Sequence, residues 1–275
     1  MEKYLYGASV QGIQSFIFQT NQLDDISGAS ELVESICTKL FEETVGEGFN
    51  EKSNAVIMAA GNVKYVFDTL EQCEHVVRHF PRKVQEHAPG ITFSQAVVKF
   101  DDDKDFGKAI EALEKKLKTQ RNLHQTPLEQ GVLGCQRAAK TGMPVVKIWN
   151  GEDLDAATYA KRVARKDCGN RLYIKSMVGE TNKDENDFKF KEELDIKDLT
   201  GKNDWIAIVH IDGNGLGTVV QKLGKDREKF REFSYLLDQA TTKAANKAFK
   251  DIIGNDKFNP DKLPFCPVVL GGDDL

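Results

Sequence analysis

The chain has 275 residues, 40% hydrophobic and 29% charged, with a formal net charge of −5. That length suits two domains of about 100 to 200 residues each, the apolar content argues against general disorder, and the charge provides no global basic field to hold nucleic acid by counterion release. Cys37, Cys73, Cys135, Cys168 and Cys266 are scattered and form no C-x-x-C pair, which argues against a disulfide framework or a complete zinc ribbon and suits a reducing cytoplasm. MEKYLYGASVQG begins without a basic run and an apolar core, and no stretch approaches the ~20 apolar residues of a span, so neither secretion nor a membrane is expected.

Residues 3–10 (KYLYGASV) are β-prone, and residues 29–45 place Leu32, Val33, Ile36, Leu40 and Phe41 on one helical face. AVIMAAG (55–61) and KYVFD (64–68) are short apolar runs split by Gly61-Asn62, a tight-turn signal, and read as a hairpin. Residues 70–88 carry Leu70, Cys73, Val76, Val77, Phe80 and Val84 at helical spacing; Pro89-Gly90 stops them, and ITFSQAVVKF (91–100) alternates as a strand. The order βαββαβ is the ferredoxin-like pattern, complete by about residue 102.

Residues 106–121 predict a further helix with Phe106, Ala109, Ile110, Leu113 and Leu117 on one face. Residues 122–175 contain a turn at Asn150-Gly151 and DLDAATYAKRVARK, a helix with Asp153 or Asp155 as cap. Lys, Asp, Glu and Asn dominate 179–204, which reads as a linker or insertion loop. WIAIVHID from Trp205 is β-prone and runs into the glycine-rich GNGLG (213–217). Residues 226–253 predict a long helix burying Phe230, Phe233, Leu237, Ala240, Ala244 and Phe249, and LPFCPVVL leads into Gly271-Gly272-Asp273-Asp274.

The two β-rich stretches echo each other. Laying Ala8-Ser9-Val10-Gln11-Gly12 on Ile211-Asp212-Gly213-Asn214-Gly215 puts Ser9 where Asp212 stands, and Gly61-Asn62 falls where the second stretch has Gly271-Gly272-Asp273-Asp274. The expected fold class is α+β, two ferredoxin-like or palm (nucleotidyl cyclase-like) units in tandem with the second incomplete. The parts are 1–103, a first palm-like domain without metal carboxylates; 104–203, a helical and irregular insertion with a charged linker; and 204–275, the start of a catalytic palm with a GGDD turn.

In a palm the first strand and the turn of the following hairpin lie side by side, so Asp212 converges with Asp273 and Asp274. Three clustered carboxylates suit magnesium, or manganese, a hard cation that takes oxygen ligands and substrate phosphates. A pair of ions can stabilise the attacking hydroxyl and the departing oxygen in displacement at an α-phosphate. Gly213, Gly215 and Gly217 let backbone approach a triphosphate, and Asn214 can hydrogen-bond a phosphate or ribose oxygen. The bland alternative stands beside this: Asp-Gly-Asn-Gly is a common turn, and Gly-Gly-Asp-Asp suits an ordinary exposed one.

YLYGASVQGIQSFIF, IDGNGLG and GGDDL together resemble the large palm-containing subunit of type III CRISPR effector complexes. The resemblance covers residues 1–102 and 205–275. It implies a nucleotidyl transferase that makes cyclic oligoadenylate from ATP when target RNA is bound, in antiviral defence. On it, Asp273 and Asp274 are the metal-binding pair, Asp212 is the first-strand ligand, Gly271 and Gly272 belong to the turn, and Gly12-Ile13-Gln14-Ser15-Phe16 is the motif near the nucleotide. The partners this admits are ATP or another NTP, a CRISPR RNA–protein complex with its target RNA, and a second copy of the chain in a homodimer. Three departures qualify it. There is no adjacent His-Asp pair, so single-stranded DNA cutting is not expected; Cys135 and Cys168 stand alone where the family often has cysteine pairs; and the sequence stops one residue after Asp274, which reads as a fragment of weak or no activity. Two other functions remain open: a non-catalytic subunit that binds nucleotide or the RNA–protein complex, and a GTP-using cyclic dinucleotide synthase.

Among the remaining residues, His210 reads as a buried or sheet-face histidine, and His75, His79 and His87 as surface residues. Phe16, Phe18 and Phe41 read as core rather than as a frame for adenine. Lys161, Arg162, Arg165 and Lys166 form the densest basic cluster and read as a solvated helix face before a contact for RNA or triphosphate.

Overall fold

The computed structural model describes residues 2–101, 105–123, 134–167, 175–176, 205–211, 213–215, 219, 223, 226–253, 267–268 and 270. The elements in chain order are β1 (Glu2–Gln11), α1 (Ile13–Ile17), α2 (Leu23–Ser35), a π-helical turn (Ile36–Leu40), α3 (Phe41–Val45), α4 (Glu51–Asn54), β2 (Ala55–Ala59), β3 (Asn62–Phe67) and α5 (Leu70–His87). They continue with β4 (Thr92–Asp101), α6 (Phe106–Arg121), β5 (Lys147–Trp149), β6 (Glu152–Leu154), α7 (Ala156–Asp167) and α8 (Arg227–Ile253). The chain forms two compact units, one of Met1–Ile13, Val33–Gln130 and Asn214–Leu236, the other of Gln14–Leu32, Gly131–Gly213 and Leu237–Leu275.

The first unit is a four-stranded antiparallel sheet in the order β2-β3-β1-β4 with helices on both faces, an α+β arrangement. Alternation along β1 sends Tyr6 to one face and Leu5 to the other, because successive strand side chains point opposite ways. On the first face Tyr6, Phe41, Tyr65, Phe67, Phe80 and Phe93 form a continuous aromatic cluster, with Phe41 and Phe80 edge to face at 5.2 Å. On the second, Leu5, Val66 and Phe100 pack with Phe106, Leu113 and Leu117 of α6 and with Phe230. Gly7 lets α6 come this close, since a Cβ there would stand 2.6 Å from Leu113 Cδ2. Lys64 crosses this apolar face to pair with Glu114 at 2.6 Å.

Two local features follow from single residues. Ala60 and Gly61 both have positive φ (49° and 74°), the pair of conformations a tight two-residue hairpin turn requires, so the turn falls one residue earlier than the sequence suggested and Asn62 opens β3. Pro81 inside α5 has no N–H for the carbonyl of Val77. Gln95 on β4 fills the gap: its Nε2 donates to Val77 O at 2.9 Å while its Oε1 accepts from the Tyr6 hydroxyl at 2.8 Å.

In the second unit β5 and β6 form a hairpin around Asn150-Gly151, again with paired positive φ. Asp155, not Asp153, caps α7: its Oδ1 accepts from Thr158 N at 3.0 Å and its Oδ2 from the Thr158 hydroxyl at 2.8 Å. Burial pushes the Asp155 carboxyl up, but these bonds and the one from Thr141 outweigh it and hold the group ionised. Of the face predicted for α8, Phe230 is fully buried, whereas Ala240 and Ala244 are exposed. No helix among the described residues is long and apolar enough to cross a membrane.

Candidate functional site

The first predicted motif begins where β1 ends. Gly12 has φ +61°, a left-handed conformation that costs little only for glycine, and it turns the chain from strand into α1. The β2–β3 turn closes against the same strand end. Val10 N donates to Gly61 O at 2.7 Å, and a Cβ on Gly61 would stand 2.7 Å from Ile13 Cδ1. Ser9 is the direct cross-strand partner of Asn62 on one side and of Ser94 on the other. The corner is polar, and the Arg121 guanidinium reaches it. Ser9 Oγ accepts from Arg121 at 3.1 Å, and Ser94 Oγ accepts from Gln11 Nε2 at 2.6 Å.

Helix α1 carries Gln14 and Ser15 exposed, with Phe16 and Ile17 buried beneath. Phe18 overturns the core expectation: it is 59% exposed, next to Gln14, whose carbonyl accepts from Phe18 N at 2.9 Å. Phe16 and Phe41 are core, as expected.

Of the basic cluster of α7, Lys166 is exposed as expected, whereas Lys161, Arg162 and Arg165 do not form a solvated face. Lys161 is 0% exposed; its Nζ donates to Phe16 O at 2.6 Å and Gln19 Oε1 at 3.1 Å and stands 4.3 Å from the Phe16 ring centre. Desolvation lowers its pKa to about 8, against the opposing pull of the Asp25 and Asp155 carboxylates. Arg162 pairs with buried Asp25 at 3.0 Å and with Glu152 at 2.7 Å, and Arg165 lies 3.4 Å from Asp24. Glu152 also takes Lys140 at 2.5 Å. The reason is local packing. A Cβ on Gly28 of α2 would stand 1.8 Å from the Lys161 carbonyl oxygen, so glycine lets α2 and α7 touch backbone to backbone, and facing charges must pair.

Of the second motif, Asp212, Gly217, Gly271, Gly272, Asp273 and Asp274 lie outside the described residues. Gly213 is half-buried, Asn214 and Gly215 are exposed, and Gly215 has φ +74°. Residues 205–211 are not paired in a strand among the described residues; Trp205 is 82% and Ile208 89% exposed, and His210 is exposed rather than buried. Lys175 is buried beside the last described residue before Gly271, donating to Leu270 O at 3.1 Å and pairing with Asp238 at 3.0 Å. Among the described residues no group of three or more His, Cys, Asp or Glu is placed to hold a metal. His75 and His79 are exposed, while His87 is half-buried and meets Ser35 Oγ at 2.6 Å.

No protein-family model matches the chain. No curated protein matches it. Solved structures resemble part of it: an apo Csm1-Csm4 cassette (TM-score 0.35, 16% identity, 44% of this chain and 18% of that one) and a cassette in complex with pppApApA (0.34, 16%, 44% and 19%). A Csm1-Csm4 cassette in complex with cA4 is similar in the same way (0.30, 17%, 44% and 19%). The chain thus spans under a fifth of the length of those proteins, at 18% to 19%.

Proposed function

We propose that this chain carries two palms of a type III CRISPR-like nucleotidyl transferase, and that the second palm, over residues 204–275, converts ATP to cyclic oligoadenylate with Asp212, Asp273 and Asp274 holding divalent cations. The observation that carries this is the pairing of Ser9 with Asn62. Those are the positions that the internal echo assigns to Asp212 and to the GGDD turn. Paired residues on neighbouring antiparallel strands stand about 4.5 to 5.5 Å apart at Cα, so carboxylates at those places fall within reach of ions about 3.5 to 4 Å apart. The donor set is all carboxylate oxygen, which fits Mg2+ or Mn2+ and suits neither zinc nor copper.

The bound ions would supply charge stabilisation at the attacking and departing oxygens. The chain's own part is placement. Gly215 has open space where a Cβ would stand, Asn214 offers an exposed amide, and Gln14 and Ser15 present polar groups on the exposed side of α1. Phe18, exposed beside them, offers a ring face on which a base can stack, a contact worth about 1 to 3 kcal/mol.

The test is nucleotide binding and product analysis with each labelled NTP, with and without Mg2+ or Mn2+. The expected result is metal-dependent binding of ATP, with any product an oligoadenylate, both lost in Asp212→Ala and in Asp273→Ala with Asp274→Ala. Binding or product that survives those substitutions refutes the assignment. Products from GTP alone would instead identify a cyclic dinucleotide synthase, and metal-dependent binding without product a non-catalytic subunit.

A further inference from the structure

We infer that Lys161 is a positioning residue for the first-palm motif: its ammonium holds the C-terminal end of α1 and so fixes where Gln14 and Ser15 stand for the nucleotide. This rests on the function proposed above. Helix α1 is only five residues long, far below the roughly 12 to 15 residues at which a helix becomes marginal alone in water. Its last carbonyls have no partners within so short a helix. Lys161 supplies one, at 2.6 Å from Phe16 O, and its charge also lies over the Phe16 ring.

Nothing about a simple core explains a lysine here. Burying an ammonium is costly unless it is hydrogen-bonded and its charge balanced, and an apolar side chain of the same length would fill the space without that cost. The charge is balanced from two elements, Asp25 of α2 and Asp155 at the cap of α7. The height of the lysine is fixed in turn by Gly28, against whose Cα the Lys161 carbonyl lies. The motif's exposed side therefore faces solvent while its buried side is pinned by a residue far along the chain.

The test uses the 275-residue chain and Lys161→Met, which keeps the length and apolar stem and removes the donor. Hydrogen exchange over residues 13–19 is read beside ATP affinity in Mg2+ and global stability. The expected result is about tenfold faster exchange and about tenfold weaker ATP binding, the loss of one hydrogen bond to a charged group, while global stability holds or rises. Lys161→Arg, which keeps a charged donor, restores both readouts to within about threefold. Exchange or affinity unchanged within about twofold in Lys161→Met overturns the inference. A Lys161→Met chain that fails to fold while Lys161→Arg binds as wild type would show a purely structural lysine and also overturn it. A wild-type chain that binds no nucleotide sinks the proposed function instead, and the exchange at 13–19 then decides by itself whether Lys161 orders the motif.

Discussion

The buried ammonium gives a stability profile whose sign can be worked out. The Lys161 pKa falls from 10.5 to about 8 on folding because burial disfavours its charged form. The unfolded chain therefore binds more protons between those values, and stability rises with pH across that window. The contribution is complete above 10.5, lost as pH falls to about 8, and flat below. A displacement of that size corresponds to about 3 kcal/mol. The raw wild-type curve will not show it cleanly. Burial raises the pKa of the Cys37 thiol and of the Tyr6 phenol, and raises Cys73 to about 11. Each of these stabilises fully below its unfolded pKa, and the gain fades as pH climbs toward its folded value, so they tilt the curve the other way. Subtracting the Lys161→Met curve removes them. Guanidinium denaturation of both chains from pH 7 to 11 should give a difference, wild type minus variant, that climbs by about 3 kcal/mol between pH 8 and 10.5. A difference flat across that interval would mean that the ammonium is solvated and not buried.

Gly28→Ala places a Cβ 1.8 Å from the Lys161 carbonyl oxygen, a backbone atom that cannot rotate aside. A loss of about 3 kcal/mol or more is expected, at or above the upper end for overpacking; an unchanged denaturation midpoint would show that α2 and α7 do not meet there. Gln95→Leu leaves both Val77 O and the Tyr6 hydroxyl without their partner, and should cost about 1 to 3 kcal/mol. Pro81→Ala restores the helix N–H that Val77 lacks, so the double variant should lose less than the sum of the two single changes. Strict additivity in that cycle would break the link between the proline and the glutamine.

How far the sequence revealed this structure depends on how local each signal is. The βαββαβ order was legible because alternation along β1 and β4, the Gly61 turn and the Pro89-Gly90 stop act within a few residues of themselves. Helix α2 begins at Leu23, ahead of the residue 29 start read from apolar spacing. Its first turns carry Asp24, Asp25 and Gly28, which look like a polar loop until α7 supplies their partners. The same distance hid the meaning of Lys161, Arg162 and Arg165. A run of cations on an amphipathic helix signals solvent unless the matching carboxylates are known to face it. Residues 205–211 show the opposite failure. WIAIVHI has the composition of a strand, yet β-propensity describes fit to a pleated neighbour, and no such neighbour pairs with it among the described residues.

The corner at Ser9 also bears on why the two proposed palms would differ in chemistry. Here the chain brings its own cation: the Arg121 guanidinium reaches Ser9 from the end of α6. A guanidinium is always charged and presents donors only. It satisfies a hydroxyl and repels any divalent ion. A corner built from Asp212, Asp273 and Asp274 has the reverse need, since clustered carboxylates repel one another until cations arrive from solution. On the proposed reading, one copy of the fold closes this corner with arginine and the other keeps it open for metal and triphosphate. The change from serine to aspartate at one strand position would be enough to set that difference only if no arginine stood over the second corner.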